Sequence, residues 1–358
     1  MKPRVAMVAP ITHPYPPPSY GPWERVTHDL TEQLVLLGHD VTLFAPKGSE
    51  TTANLVETVD LPLMGGLGDP RLEEEKHLAI AMEAVAQGGF DVVHSHLHVH
   101  ALVFSRMLPS PMLTTLHGSA WDPAHHDLLR RYAEMPFVSI SHVERSLLPE
   151  LNYVATISNG IRVDDIPIGD GQGGYLAYAG RLAPEKGPDL AIDVALATGL
   201  PLRIAGPVEE QHRGFFDEII GKAPPGVEYL GELDRRELWA LLGGAVALLM
   251  PLRWPEPFGL VVAESLAAGT PVIAWRMGAM PEIIEEGITG RLVDTTEDAV
   301  GAVRQIDHLS RVGCRHAAET RFSDRVMARF YSATYSSLLS QTIASSSWAT
   351  GTVATRMP

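Results

Sequence analysis

Two glutamates stand in an otherwise apolar stretch, Glu256 in a proline-flanked loop and Glu264 eight residues later. The pattern predicts a strand over 246–252 and a helix from about Leu260 to Ala268. The first N–H groups of a helix lack intrahelical partners and carry the positive end of its dipole, so they suit an anion. Gly259, between loop and helix, allows a ligand to approach the backbone closely.

Carboxylates accept hydrogen bonds well from vicinal hydroxyls. Glu256 would stand just outside the helix, and Glu264 about one turn inside it. An anion at the helix start, with a hydroxyl-bearing ring held by each carboxylate, describes a nucleoside diphosphate sugar. The residues alone also allow a plainer interpretation, in which Glu264 points to solvent and Glu256 is a loop charge.

Two cations occur in "AGRLAPEKGPDLAI", residues 179–192. A predicted strand ends at Arg181, and a loop containing Lys186 leads to a helix near Pro188. Both side chains would lie at the carboxyl edge of the strand, where Arg can fork across two phosphate oxygens and Lys acts as a point charge. The alternative is a pair of solvated surface cations, which is the commoner situation for such residues.

Length and charge restrict what the protein can be. The 358 residues exceed what one compact core usually organises, which favours two domains. Acidic residues outnumber basic ones, 43 to 28, and the formal charge of −15 argues against nucleic acid and against attraction to anionic lipid surfaces. Any phosphate site must therefore be a local basic island.

Cysteine content and hydropathy predict a cytoplasmic location. Cys314 is the only cysteine, so no internal disulfide can form and a reducing compartment is expected. The N-terminal run "MKPRVAMVAPITHP" is too short and too interrupted for a signal peptide. A membrane span needs about 18 consecutive apolar residues, and no segment of the sequence comes near that length. Membrane association is not indicated, although peripheral contact stays open.

Short strand-like runs alternate with helical patterns along most of the chain, which predicts an α/β fold with parallel, doubly wound sheets. Between the first two strands, apolar residues recur from Val26 to Leu37 at helical spacing, and Gly38 is placed to end that helix. The predicted strands are 4–10, 40–46, 91–96, 112–117, 137–142, 154–160, 174–182, 202–207, 227–233, 246–252, 271–275 and 290–294.

Residues 161–173 are polar and rich in Gly and Asp, which predicts a linker. We therefore expect two Rossmann-like domains that face a central cleft, since α/β sheets bind ligands at their carboxyl edges. The predicted division is an N-terminal acceptor-side domain (1–165), a C-terminal donor domain (166–325), a helix that could cross back to the first domain (326–342) and a disordered tail (343–358).

The segments "GRLAPEKG", "EPFGLVVAESLAAGTPVIA" and "GAMPEIIEEGITGRLV" resemble the donor domain of retaining glycosyltransferases of family 4, which have the GT-B fold and include glycogen-synthase-like and phosphatidylinositol-mannosyltransferase-like enzymes. The spacing from Glu256 to Glu264 matches the paired-glutamate motif of that family. The first half agrees through "PPPSYGPWERVTHDLTEQLVLLGHDVTLFAP", "DVVHSH", "TTLHG" and "ISNGI". The resemblance covers roughly residues 4–335.

The resemblance implies a role for each motif residue. Arg181 and Lys186 would neutralise the donor diphosphate, Glu256 would hold hydroxyls of the transferred sugar, and Glu264 would hold the ribose hydroxyls. His117 of "LHG" would lie across the cleft against the donor sugar, although its motif taken alone is equally that of a strand-end histidine. Further donor contacts would come from the residues Gly21, Gly180, Gly259, Leu260 and Val261.

The resemblance further implies a UDP- or GDP-linked donor, no cofactor and no metal, because basic side chains and a helix end would handle the diphosphate. One departure stands out, since the family commonly has Gly-Gly in its first loop and this chain has Gly21-Pro22. Proline removes an N–H donor that could meet phosphate. Glu24 and Arg25 follow and could meet the acceptor, or could simply form the surface of a helix start.

Four histidines alternate in "HSHLHVH", at positions 94, 96, 98 and 100, and would share one face of a strand. Zinc sites often use histidine, but normally with varied geometry and with further residues that hydrogen-bond to the ligands and orient them. A strand end that lines the cleft is the favoured interpretation.

The motifs predict transfer of a hexose from a nucleoside diphosphate sugar to an acceptor hydroxyl, and they leave the acceptor open. The resemblance further implies retention at the anomeric carbon. A nucleotide-sugar epimerase, a sugar phosphorylase and a nucleotide-sugar-binding protein without turnover are the alternatives. A Rossmann oxidoreductase is disfavoured, because the first strand is followed by "THPYPPPSYG" rather than G-x-G-x-x-G.

Overall fold

The computed structural model describes residues 2–18, 21–63 and 69–349, with the backbone alone for 342–349. The chain divides into two compact units. The first unit comprises Met1–Ile140, Arg145–Ile157 and Arg325–Pro358, and the second comprises Ser141–Glu144 and Ser158–Asp324. The last part of the predicted tail, 350–358, lies outside the described residues.

The first unit is built on a parallel sheet, which has seven strands in the described residues, in the order β3-β2-β1-β4-β5-β6-β7. Its six predicted strands are confirmed, and one further strand, β3, lies at the edge beside β2. The strands are β1 Arg4–Val8, β2 Asp40–Ala45, β3 Asn54–Glu57, β4 Val92–Ser95, β5 Met112–Thr115, β6 Phe137–Ser139 and β7 Tyr153–Thr156.

Helices connect these strands: α1 Pro22–Leu36, α2 Pro70–Ala86, α3 Pro123–Arg131 and α4 His142–Leu147. The helix predicted between the first two strands is confirmed as α1, and Gly38 ends it in the left-handed conformation (φ 85°). Val26, Leu30 and Leu34 of α1 are buried in the first unit, as their helical spacing predicts.

The second unit has a parallel sheet of its own, with six strands among the described residues, in the order β10-β9-β8-β11-β12-β13. All six strands predicted for this half are confirmed. They are β8 Leu176–Ala179, β9 Leu202–Ala205, β10 Val227–Tyr229, β11 Ala247–Met250, β12 Val272–Trp275 and β13 Gly290–Val293. The connecting helices are α5 Pro188–Thr198, α6 Arg213–Gly221, α7 Arg235–Gly244, α8 Leu260–Ala267, α9 Met280–Ile283, α10 Thr296–Val303 and α11 Arg311–Arg321.

The last helix, α12, runs over Asp324–Ala349, and most of it belongs to the first unit. Its side chains pack there, where Ser332 bonds Lys2 Nζ at 3.1 Å and His39 Nε2 at 2.8 Å. The helical backbone extends to residue 349, so it includes the first seven residues of the segment predicted to be a disordered tail.

The segment predicted as a linker, 161–173, is packed into the second unit. The N–H of Gly169 donates to the carbonyl of Ala268 at 3.0 Å, and Arg311 Nε donates to the carbonyl of Gly169 at 3.1 Å. Ile161 forms a bridge with Ser323. The predicted linker is therefore part of the second unit, because its polar backbone groups are hydrogen-bonded within that unit.

Both sheets reverse their strand order at one point. In the first unit β1 lies between β2 and β4, and in the second β8 lies between β9 and β11. Loops that leave the carboxyl ends of the two central strands then run to opposite faces and open a crevice, which is where doubly wound sheets bind ligands. No helix in the described part of the chain is long and apolar enough to cross a membrane.

Candidate active site

The candidate residues of the second unit lie at its point of strand-order reversal. Arg181 and Lys186 follow β8, while Glu256 and Gly259 follow β11, the neighbouring strand. The strands are parallel, so both loops leave the same edge of the sheet. Topology thus brings together two motifs that are about seventy residues apart in the sequence.

Lys186 and Glu256 are in direct contact. The ammonium Nζ of Lys186 donates to Glu256 Oε2, and Trp254 Nε1 donates to the same oxygen at 3.0 Å. Nζ also lies 4.9 Å from the centroid of the Trp254 ring, within cation–π range. Each charged side chain is 15% exposed, so the pair is largely shielded from water and held in one geometry.

Arg253, which the sequence analysis did not single out, ties the two loops together. Its N–H donates to the carbonyl of Glu185 at 2.9 Å, and its guanidinium donates to both carboxylate oxygens of Asp189 at 2.7 and 2.6 Å. These hydrogen bonds raise the pKa of Arg253 above its ordinary value. The loop after β11 is thereby anchored to the turn that carries Lys186. Only its place beside Trp254 in the motif could have suggested this role.

Two glycines allow the backbone approaches that the site requires. Gly187 has φ 69°, and a Cβ there would lie 2.0 Å from the carbonyl oxygen of Pro251. Gly278 has φ 57°, and a Cβ there would lie 2.3 Å from both N and O of Glu256. A side chain at either position would push the two loops apart, so both glycines are structural requirements of the Lys186–Glu256 contact.

Arg181 is also paired. Its Nη1 donates to the two carboxylate oxygens of Glu209 at 3.2 and 3.1 Å, and Nη2 lies 3.4 Å from Glu185. Beneath it, the hydroxyl of Tyr178 donates to the carbonyls of Arg181 at 3.0 Å and Lys186 at 3.5 Å. Burial raises the pKa of Tyr178 well above its usual value, so the hydroxyl stays protonated as a donor. In the sequence Tyr178 resembles any core residue of a strand, which is why it was missed.

Helix α8 starts at Leu260, as predicted, and Gly259 is its N-cap residue in the left-handed conformation. Leu260, Val261 and Glu264 are half-buried. Trp239 Nε1 lies 3.5 Å from Glu264 Oε1 and is directed at it, which places this carboxylate one turn inside the helix start.

Gly180, which directly follows β8, has its N–H bonded to the carbonyl of Ala205 at 3.0 Å. That amide is therefore engaged within the sheet.

In the first unit, Gly21 is the N-cap residue of α1 and Pro22 is the first residue of the helix. A helix start needs no N–H at that position, so proline fits there without loss of a backbone bond. Glu24 is buried, with 2% of its surface exposed, and burial raises the pKa of its carboxyl. The interpretation of Glu24 as helix surface is therefore wrong.

His117 follows β5 in the first unit and is 4% exposed. Its Nε2 lies 2.7 Å from Nδ1 of His96, one of the four alternating histidines. Its Nδ1 has no hydrogen-bond partner within the described residues. Burial lowers the pKa of both imidazoles well below the ordinary value, and neighbouring histidine rings lower both further. His117 is therefore a neutral ring that can donate or accept a hydrogen bond.

The four alternating histidines do not share one strand face, which corrects that expectation. Strand β4 ends at Ser95, His98 has a positive φ of 51°, and His100 is exposed. His94 is buried between the Tyr335 hydroxyl of α12 at 2.7 Å and Thr115 Oγ1 at 2.8 Å, and burial lowers its pKa to about 3. Across residues 2–18, 21–63 and 69–341 no three His, Cys, Asp or Glu side chains are grouped as metal ligands would be.

Two families of known proteins match the two halves of the chain. Residues 23–164 match the family described as Glycosyltransferase Family 4, and residues 169–319 match Glycosyl transferases group 1. The two matches follow the two units in order and together cover most of the chain. The chain therefore belongs to the group 1 and family 4 glycosyltransferases, and the predicted enzyme class is confirmed.

Individual relatives support the same assignment. The chain is 28% identical to a glycogen synthase of Mycobacterium tuberculosis over 77% of this chain and 79% of the relative. It is 27% identical to a phosphatidyl-myo-inositol mannosyltransferase of Mycolicibacterium smegmatis over 90% and 89%.

Solved structures confirm the predicted GT-B fold. Sucrose-phosphate synthase of Thermosynechococcus elongatus superimposes with a TM-score of 0.78 at 18% identity, over 95% of this chain and all of the other. The Anabaena protein HepE, solved in complex with UDP and glucose, gives a TM-score of 0.72 at 18% identity, over 94% and 100%.

Proposed function

We propose that the protein transfers a hexose from a UDP- or GDP-linked sugar to an acceptor hydroxyl, with retention at the anomeric carbon and without a metal ion. One observation carries the proposal: Lys186 and Glu256 are in contact where the loops after β8 and β11 meet. Glu256 lies three residues before Gly259, the N-cap residue of α8. A cation, a hydroxyl-binding carboxylate and a helix start thereby lie along one short path. That sequence of groups suits a sugar joined to a diphosphate.

The bond to be broken joins the anomeric carbon to the diphosphate, and negative charge grows on the departing phosphate oxygen. Arg181, Lys186 and the first amides of α8 would stabilise that charge, because preorganised dipoles and cations cost no reorganisation when the reaction occurs. The acceptor oxygen would attack on the same face, and its proton would pass to the leaving phosphate oxygen. Two side-chain cations and a helix start supply the positive charge that a metal provides elsewhere.

The carboxylates would hold the hydroxyls of the donor. Glu256 accepts from Lys186 and Trp254 through Oε2, so its other oxygen would accept from sugar hydroxyls. Glu264, one turn into α8, would accept from the ribose. HepE, which binds UDP-glucose in its solved complex, supports a nucleotide-sugar donor for this fold.

The paired state of Arg181 sets a condition on this proposal. Arg181 and Lys186 face the carboxylates of Glu185, Glu209 and Glu256, so the five side chains carry more negative than positive charge. A diphosphate must therefore compete with Glu209 for the guanidinium. In this structure Nη1 of Arg181 contacts both oxygens of Glu209, while Nη2 lies near Glu185.

The test is transfer activity with UDP-, GDP- and dTDP-hexoses in Lys186→Ala and Glu256→Ala, with Lys222→Ala as the control. Lys222 is in the same unit and its side chain is 75% exposed. We expect Lys186→Ala to lose about 100-fold or more in kcat/KM, the range for removal of one group that stabilises transition-state charge. Glu256→Ala should lose about 100-fold, because the donor sugar is then no longer held in the reactive geometry. Unchanged turnover in both would contradict the site.

Three further readouts separate the components of the proposal. The anomeric configuration of the product, measured by NMR, tests retention. Activity after treatment with EDTA tests independence from metal. Incubation of the donor alone distinguishes the alternatives, because an epimerised nucleotide sugar would indicate an epimerase. The predicted cytoplasmic location stays a prediction, and peripheral membrane contact stays open.

A further inference from the structure

A cavity of about 80 Å3 lies within the first unit at its point of strand-order reversal. Its walls come from the loop after β1 (10–12), the loop after β4 (96–100), Trp23 at the start of α1, and the side of α2. One buried water needs about 10–15 Å3, so the cavity has room for several waters or a small ring. His117 and Gly21, the site candidates of this unit, are not among its lining residues.

One wall is aromatic and held in place. Trp23 is 41% exposed, and its ring meets that of His98 edge to face, with centroids 4.4 Å apart. His98 is itself fixed by hydrogen bonds to Ser119 Oγ and to the carbonyl of Leu116. An exposed indole held by its neighbour provides an apolar, π-rich face against which the C–H face of a ring can pack.

A second wall carries an unsatisfied hydrogen-bonding group. His96 is 1% exposed, its Nδ1 is bonded to His117, and its Nε2 has no partner within the described chain. A buried polar group without a partner is unfavourable, so a ligand group that hydrogen-bonds to Nε2 would relieve that cost.

His77 on α2 repeats this arrangement. Its Nδ1 meets Thr58 Oγ1 at 2.7 Å, and its Nε2 has no partner at bonding distance in the described part of the chain. The carbonyl of Ala9 lies near enough to act on its pKa, so the opportunity for a ligand is weaker here than at His96.

The charge of the cavity wall disfavours an anion. Its described lining residues include no Lys or Arg, and Glu74 of α2 adds a carboxylate. Burial lowers the pKa of His96 well below its ordinary value and that of His77 and His98 to about 4, so these rings are neutral near pH 7. A phosphate or carboxylate would meet a like charge and gain no ion pair.

We propose that this cavity binds a neutral, hydroxyl-bearing ring of the acceptor, packed on Trp23 and hydrogen-bonded to His96, and that it discriminates against phosphorylated rings. The inference rests on the proposed transferase function, and it narrows the acceptor to a class.

The test measures binding to the full chain by saturation-transfer NMR with four probes: methyl α-D-glucoside and myo-inositol, and their phosphorylated counterparts glucose 6-phosphate and inositol 1-phosphate. We expect at least one neutral ring to bind, and its phosphorylated counterpart to bind at least fivefold more weakly. Trp23→Ala should weaken binding of the neutral ring about tenfold. Phe330→Ala, which removes an exposed aromatic ring of α12 in the same unit and outside the cavity, should leave binding unchanged.

A second variant tests the charge argument. Glu74→Lys should raise the affinity for the phosphorylated probe at least fivefold, because it replaces the carboxylate by a cation. The inference is overturned if the phosphorylated probe binds as well as the neutral one, if no neutral probe binds, or if Trp23→Ala binds normally. UDP and GDP binding is measured on the same samples. If nucleotide still binds while one of these contradicting results is obtained, the acceptor site is refuted and the proposed transferase function is not.

Discussion

Gly278→Ala adds a single carbon atom directly under Glu256. Gly278 has φ 57°, and the new Cβ would lie 2.3 Å from the backbone N and O of Glu256 and 2.6 Å from the carbonyl carbon of Pro255. The adjacent N–H of Ala279 donates to the carbonyl of Glu256 at 2.9 Å. The loop after β11 therefore rests on this glycine, and neither partner is a flexible side-chain end that could swing away.

The size of the effect follows from these distances. Ordinary contact begins at 3.4 Å, so relief of the overlap moves the loop by about 1 Å. A misplacement of about 1 Å near the chemistry can cost about 100-fold in rate, which corresponds to about 2.7 kcal/mol in the activation barrier. The positive φ adds about 1–2 kcal/mol of backbone strain for alanine. We expect kcat/KM to fall about 100-fold while the second unit stays folded.

The assay combines steady-state transfer with thermal unfolding, and Gly301→Ala is the control. Gly301 lies in α10 of the same unit, and a Cβ there has no heavy atom within 4 Å. Alanine in a helix interior is about 0.5–1 kcal/mol more favourable than glycine, so the control should be at least as stable and fully active. A folded Gly278→Ala enzyme within threefold of normal kcat/KM would refute the role assigned to this contact.

Two further predictions follow from charges. Glu209→Gln should tighten UDP or GDP binding about two- to fivefold, because the ion pair that competes for Arg181 is partly exposed and is worth up to about 1 kcal/mol. Calorimetry measures the binding, and the exposed Glu210→Gln is the control. Equal or weaker binding by Glu209→Gln would contradict the prediction. Stability of the first unit should fall as pH drops below about 6.5, since unfolded histidines then bind protons while folded His94 and His98 stay neutral down to about 3 and about 4. Hydrogen exchange of β4 and β5 at pH 7 and pH 5 measures it, and a flat profile would contradict it.

The sequence was sufficient for the fold class. Strands such as β8 and β11 are short, wholly buried and apolar, and such runs between helical patterns predict a parallel sheet without further information. The start of α8 followed from Gly259 and the apolar run after it. The family resemblance then assigned roles to Lys186 and Glu256, which the structure brings into contact.

Elements of weak local pattern were not predictable. Strand β3 has four residues, is partly exposed and lies at an edge, so it carries neither a long apolar run nor an alternation. The spacing of the four alternating histidines is that of one strand face, but β4 ends at Ser95 and their side chains lie in different surroundings. Local spacing cannot reveal these surroundings, because the partners of His94 lie on β5 and α12, which are distant along the chain.

The sequence by itself determined the two doubly wound sheets, the position of helix α8 and the charged residues that follow their strands, because these depend on periodicity and on neighbours along the chain. Only the tertiary structure decided which groups meet. Tyr178 holds the loop after β8, and Arg253 joins that loop to the loop after β11, both through hydrogen bonds to backbone carbonyls. Gly278 supports Glu256 by the absence of a side chain. Such contacts depend on distances across the crevice of one sheet, and residue type alone does not encode them.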